Sequence, residues 1–179
     1  MKFTVSSQLL RDNLSKIYGV VGSNNVITIL DNFLFTLEKD KLTVISSDVE
    51  ISMKVEIDVQ SSDSGSLAVP AKKLMDTIKF IADQPLLMSI NETENALDIK
   101  TNNGDYKLTG FNAKEFPELA QIKDAQLVNI DSTTLNHAIG QASFAIGTDE
   151  SRKAMTGLYC QFDKDGATFV ATDAQKLVR

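Results

Sequence analysis

One cysteine, one histidine and no long apolar run set the first limits on this chain. With Cys160 alone, no disulfide can close within the chain and no cysteine cluster can hold a metal. Cys160 lies in the apolar stretch LYCQF, so it is expected in the core rather than as a reactive thiol. His137 falls on a helical stretch with no carboxylate in sequence reach, which makes it a poor general base or metal ligand. Gly-rich phosphate loops, GxSxG and HExxH are all missing. The chain is therefore read as a non-enzyme that needs no cofactor and no metal. No segment approaches the roughly eighteen consecutive apolar residues of a membrane helix, and the opening MKFTVSSQLL lacks a signal-peptide core. The expectation is a soluble, cytoplasmic protein with no membrane partner. Basic residues are outnumbered 18 to 24, a net charge of −6, which excludes a wholesale basic nucleic-acid binder and leaves room only for a focal basic face. With 179 residues, 42% of them hydrophobic, the chain can build one large core or two small ones.

What the chain does contain is repetition. LEKDKLTVISSD at 37–48 and FDKDGATFVATD at 162–173 follow the same pattern, and residues 3–54 superpose on the chain shifted by 125 without a gap. Identities fall at Ser7 and Ser132, Leu10 and Leu135, Gly22 and Gly147, Lys39 and Lys164, Thr43 and Thr168, and Asp48 and Asp173. Apolar positions match as well, among them Phe3 with Val128, Leu14 with Ile139, Leu30 with Met155, Leu37 with Phe162 and Val44 with Phe169. Within the first copy, Lys2 to Val5 reads as a strand. Ser6 or Ser7 caps a helix carrying Leu9, Leu10, Leu14, Ile17 and Tyr18 on one side, and Gly19 and Gly22 end it. A hairpin over 33–38 and 41–46 and an alternating run at 51–59 complete the unit.

The same order of strand, helix and three strands returns from Ser66. Pro70 suits the first turn of a helix over Ala71 to Ala82, and strands follow at 86–91, 96–101 and 105–111. The fold class is thus α+β, built of repeated strand-helix-three-strand units with antiparallel sheets. A first domain at 1–120 holds two such halves. After a linker at 121–127, a second domain at 128–179 holds only one, with a helix over about Ser132 to Ala142. The chain is expected to be a fragment of something longer, with apolar positions such as Leu135 and Ile139 left exposed.

These segments resemble the bacterial sliding clamp family, the β subunits of DNA polymerase III. The resemblance runs the length of the chain, through MKFTV, TILDNFLF at 28–35, SSDVEISM at 46–53, VPAKKLMD at 69–76, FPEL at 116–119 and ATDAQKL at 171–177. It implies a DNA-clamp fold with helices inside and sheets outside. It also implies a head-to-tail homodimeric ring around double-stranded DNA, acting as a processivity factor that tethers DNA polymerase III and the clamp loader through linear peptide motifs. A peptide-docking scaffold that never encloses DNA is the alternative. This chain would hold the first domain and half of the second, and by itself is expected to be a monomer.

The resemblance also suggests site residues. On a helical wheel Leu74, Met75, Ile78 and Ile81 form an apolar stripe, Lys72, Asp76 and Lys79 share the opposite face, and Lys73 flanks it. Such a pattern alone is usually a solvated face; the resemblance makes Lys72, Lys73 and Lys79 candidates for a DNA-facing lining, with Arg11, Lys16, Asn24 and Arg152 beside them. Asn24 stands where the family often has an arginine. Asp149 replaces a neutral polar contact, and the helix of the second domain carries no Lys or Arg. The implied partner-peptide pocket draws on Met155, Thr172, Gln175, Lys176 and Leu177. A Gly-His-Arg run commonly follows the aspartate in the family, whereas Ala174, Gln175 and Lys176 follow it here, which exchanges a planar guanidinium for a point charge. Asp173 itself is read as a turn residue. Tyr106, Lys107 and Leu108, on an exposed edge strand, are the candidate subunit interface.

Overall fold

Strict alternation builds the first hairpin. On strand β2 (Asn32–Glu38), Phe33, Phe35 and Leu37 turn inward and are fully buried, and Leu42 and Val44 of β3 (Lys41–Ser47) join them. The connection is Lys39 and Asp40, with Lys39 at φ 54, in the left-handed region that a two-residue hairpin loop demands. The computed structural model describes residues 1–22, 27–48, 51–118, 127–164 and 166–179. They divide into a unit of Met1–Ala120 and a unit of Gln121–Arg179. No helix among the described residues is long and apolar enough to cross a membrane.

The first unit contains β1 (Lys2–Ser6), α1 (Ser7–Tyr18), β2, β3, β4 (Ser52–Asp58), β5 (Ser64–Pro70), α2 (Ala71–Ile78), β6 (Pro85–Asn91), β7 (Ala96–Lys100) and β8 (Asp105–Thr109). Its two halves exchange their first strands. β1 pairs with β6 in a sheet ordered β1-β6-β7-β8, and β5 pairs with β2 in a sheet ordered β4-β3-β2-β5, every pairing antiparallel. The register keeps the symmetry: Phe3 faces Met88 in one sheet and Leu67 faces Phe35 in the other. Two isolated bridges, Thr4 to Gln60 and Ala68 to Phe111, stitch the sheets together. The edges left over are β4 and β8.

One core serves both halves. Leu10, Leu14 and Ile17 of α1 and Ala71, Leu74 and Ile78 of α2 pack among Phe3, Phe33, Phe35, Leu67, Met88 and Ile99 from both sheets. Each large side chain so buried contributes about 1.5–3 kcal/mol. Ser6 caps α1, its Oγ accepting from the Leu9 N–H at 3.3 Å. Leu9 itself, expected on the apolar side, is 43% exposed.

The second helix is shorter than its pattern suggests, ending at Ile78 rather than Ala82. Tertiary hydrogen bonds claim the backbone beyond it. The Ser7 hydroxyl donates to the Ala82 carbonyl at 2.9 Å and accepts from the Gln84 N–H, while the Ser7 N–H donates to the Gln84 carbonyl. Ile81 stays buried outside the helix. Pro70 occupies the cap position just before the helix and is also the last residue of β5.

In the second unit, α3 (Ser132–Ser143) and β10 (Gly166–Thr172) keep the shift of 125 from α1 and β3, with β9 (Tyr159–Asp163) and a short β11 (Leu177–Val178) beside β10. Asp131 caps α3 as Ser6 caps α1, accepting from Thr134 N–H at 2.9 Å. Burial does not follow the repeat. Leu14 and Leu37 are fully buried, yet their counterparts Ile139 and Phe162 are 40% and 45% exposed, and Leu135 is half-buried. Cys160, expected in the core, is exposed on β9. Its counterpart Phe35 is covered by β5, from the other half of the first unit. Among the described residues β9 pairs with β10 alone, and residues 127–131 form no strand.

Candidate nucleic-acid interface and peptide pocket

α1 and α2 touch each other and sink into one core, so their polar faces share one side of the first unit. Lys72 and Lys73 stand exposed in the first turn of α2, where no acidic residue accompanies them. A helix optimised for stability would carry Asp or Glu there, because the macrodipole disfavours cations by about 0.3–1 kcal/mol. Both ammonium groups are without an ion pair among the described residues. Lys79, at the C-cap, is less free: its Nζ sits 2.8 Å from Asp76 Oδ1 and 4.8 Å from the Phe80 ring centroid. The hydrogen bond from Lys79, with its charge and that of Lys72, holds the Asp76 carboxyl below its usual range.

On α1, Arg11 is half-buried and donates from Nη1 to the Ile81 carbonyl at 3.4 Å, which anchors its guanidinium beside the end of α2. Lys16 is exposed and donates to Asn13 Oδ1 at 3.1 Å. Five candidate cations are thus brought to one helical layer of the first unit. Asn24 lies outside the described residues. Arg152 belongs to the second unit and is tied down, its Nε donating to Asp149 Oδ2 at 2.9 Å. Asp149 closes a 3-10 turn over Glu150–Met155 by also accepting from the Ser151 hydroxyl and N–H, and these donors keep its carboxyl below the usual range.

Of the candidate pocket residues, Met155 lies beside Gly147. The Gly147 N–H donates to the Met155 carbonyl at 2.8 Å, and a side chain at Gly147 would come within 3.3 Å of that oxygen and 3.5 Å of the Asp173 Cα. Met155 is half-buried and Leu177 is 68% exposed. Thr172 to Leu177 form a tight hairpin between β10 and β11. Its Thr172 hydroxyl donates to the Lys176 carbonyl at 2.7 Å, Asp173 Oδ1 accepts from the Gln175 and Lys176 N–H groups, and Lys176 Nζ pairs with Asp173 Oδ2. The Lys176 ammonium, then the two backbone donors, hold Asp173 well below the usual carboxylate range. Lys176 therefore serves the turn, while Gln175 and Leu177 project from it exposed. A separate depression of about 270 Å³, lined by Ala138, Ala142, Phe169 and Val178 among others, includes none of the five predicted residues.

Tyr106, Lys107 and Leu108 lie on β8, an edge of its sheet. Tyr106 is exposed, Lys107 pairs with Glu94 at 2.9 Å, and Leu108 packs on the core. Sequence patterning singles out neither the exposed Phe80 nor the Ser7 bonds that shape the end of α2. The apolar run through Ile78 and Ile81 hides Phe80, whose one signal is that it falls off the stripe.

Two family descriptions match the chain: the DNA polymerase III beta subunit N-terminal domain over residues 1–120, and its central domain over residues 129–178. A beta sliding clamp from Chlamydia pneumoniae is 27% identical over 179 residues, covering 100% of this chain and 49% of that protein. The crystal structure of the DNA polymerase III subunit beta from Pseudomonas aeruginosa superposes with a TM-score of 0.90 at 25% identity, over 99% of this chain and 48% of the other. The DNA polymerase sliding clamp from Caulobacter crescentus gives 0.88 at 27%, over 97% and 48%. The chain spans about half the length of the relatives it matches. With the strand exchange, the two-helix layer and matches over both units, the chain belongs to the DNA polymerase III beta subunit family, the bacterial sliding clamps.

Proposed function

We propose that this chain supplies the leading part of a processivity clamp: a cytoplasmic, non-enzymatic ring, made by two subunits head to tail, that encircles duplex DNA without reading sequence. The observation that carries this reading is the pair Lys72 and Lys73, exposed in the first turn of α2 and without an ion pair among the described residues, on a molecule of net charge −6. Mobile ammonium groups at the end of flexible stems attract phosphates without fixing a register, and their small number keeps the grip loose enough to slide. Arg11 and Lys16 extend the lining, with Lys79 contributing less because Asp76 shares its charge. In this reading Arg152 is a weak contact.

Tethering of DNA polymerase III and the clamp loader would use the surface around Met155, Thr172, Gln175 and Leu177, where a half-buried thioether and a projecting glutamine offer an apolar slot with a polar grip. The Tyr106–Leu108 edge would pair with a neighbouring subunit. Reversing charge with Lys72→Glu and Lys73→Glu separates this from a docking scaffold that never encloses DNA. Loss of duplex binding with intact binding of a clamp-motif peptide is the expected result; unchanged duplex binding refutes the lining. For the ring, protein carrying all its domains is loaded on nicked circular DNA, which is then linearised. Escape from the free ends is expected, and retention after linearisation refutes encirclement.

A further inference from the structure

Phe80 follows the end of α2 and is 83% exposed. The strand register defines its place. Leu67 faces Phe35 as Phe3 faces Met88, so residue 67 plays in the second half the part of residue 3 in the first. That frame, which also aligns Ser7 with Ala71 at the helix starts, puts Phe80 at the position of Lys16, and the longer repeat puts Gln141 there in α3. Lys16 and Gln141 are both exposed. The position faces water in all three copies, and only in this one is it aromatic.

Its surroundings are cationic. Lys79 Nζ lies 4.8 Å from the ring centroid, the Arg11 guanidinium is bonded to the carbonyl of the next residue, Ile81, and Lys72 and Lys73 open the same helix. Over α1, α2 and Lys79 there are five basic residues against Asp12 and Asp76, a local excess of positive charge on an acidic chain. An apolar partner would gain from the ring but not from the cations, and a bare polyanion would gain only from the cations. A strand with planar bases on a phosphate backbone uses both. Base faces in a duplex are already stacked, and prising them apart is costly, whereas an unpaired base has a face to give.

We propose that Phe80 is a stacking platform for unpaired bases, so that the helical face of the first unit holds single-stranded DNA, or the single-stranded side of a primer junction, more tightly than its phosphates alone would allow. This rests on the reading of that face as DNA-facing. The chain has no tryptophan, so Phe80→Trp places a single emitting group at the site. Titration of this variant with oligothymidylate at low salt is expected to quench its emission saturably, and a blunt duplex of equal length to quench it far less. Phe80→Ala is expected to lose roughly ten-fold in affinity for oligothymidylate by fluorescence anisotropy while duplex affinity stays within about two-fold. Emission that does not respond to bound oligothymidylate overturns the platform and leaves the DNA-facing reading standing. Equal losses on both DNAs in Phe80→Ala also overturn it. Failure of the unsubstituted chain to bind either DNA overturns both.

Discussion

Replacing Lys72 and Lys73 with alanine should change how DNA binding depends on salt, by an amount the structure allows to be worked out. Four of the five candidate cations of the helical layer form no ion pair among the described residues: Arg11, Lys16, Lys72 and Lys73. If each neutralises one phosphate, the slope of log affinity against log salt is about −3.6, at about −0.9 for each contact. Between about 50 and about 200 mM salt the affinity of the unsubstituted chain then falls roughly 150-fold. Removing Lys72 and Lys73 halves the slope to about −1.8 and shrinks the fall to roughly twelve-fold. Lys79→Ala should move the slope less than either of these two, because Asp76 already shares its charge at 2.8 Å. Fluorescence anisotropy of a labelled duplex over a salt series measures all of this, and two duplexes of unrelated sequence should give one line. A double variant that still binds with an unchanged slope would show that the lysines of α2 face away from the phosphates.

Leu14→Ala should destabilise the first unit by about 2–5 kcal/mol, whereas Ile139→Ala at the equivalent place in the second unit should cost under about 1 kcal/mol; thermal melts compare them. Asp173 has a lowered pKa, so its contribution to the turn is complete above the unfolded-state value near about 4 and is lost only as pH falls through the lower folded value. The Gln175 and Lys176 amide shifts should therefore hold steady from neutral pH to about 4, and a midpoint at the ordinary carboxylate value would contradict the geometry. Cys160, exposed on β9, should react with a thiol reagent in the folded chain at close to the rate of a small thiol. Ala174 sits at φ 76, where a Cβ costs about 1 kcal/mol or more, so Ala174→Gly should raise the stability of the second unit by about that much in denaturant titrations.

Helices and strands were legible because their periods differ and because turn chemistry marked their ends. The gaps at 39–40 and 92–95 between the predicted strands both hold a residue in the left-handed region, Lys39 at φ 54 and Asn95 at φ 49. The partner of each strand was not legible. Alternation says which face of β1 is buried, and says nothing of whether its hydrogen bonds reach β2 or cross to β6. The end of α2 was misplaced for a related reason: the Ser7 bonds that hold Ala82 and Gln84 come from about 75 residues away. Among site residues, type and spacing located Lys72 and Lys73, but only coordinates could separate the unpaired lysines from Lys79, Arg152 and Lys176, whose charges are spent on Asp76, Asp149 and Asp173.

Cys160 shows why an apolar pattern is a statement about what a strand can bury and not about what it does bury. Its counterpart Phe35 has the same register, the same alternation and the same hairpin, and is fully buried in the core that both halves build, with Leu67 of the other half beside it. In the second unit the pattern is kept, but among the described residues no strand pairs with β9 on that side, and Ile139 and Phe162 are at the surface. Burial here belongs to pairs of halves, through the exchange of their first strands. It follows that the same exchange unites the lining of the first unit: α1 comes from one half and α2 from the other, and Arg11 reaches Ile81 only because each half completes the sheet of its partner. A cationic layer drawn from two helices is thus a consequence of the fold's pairing rule, and in the second unit α3 is the one α-helix among the described residues and carries no Lys or Arg.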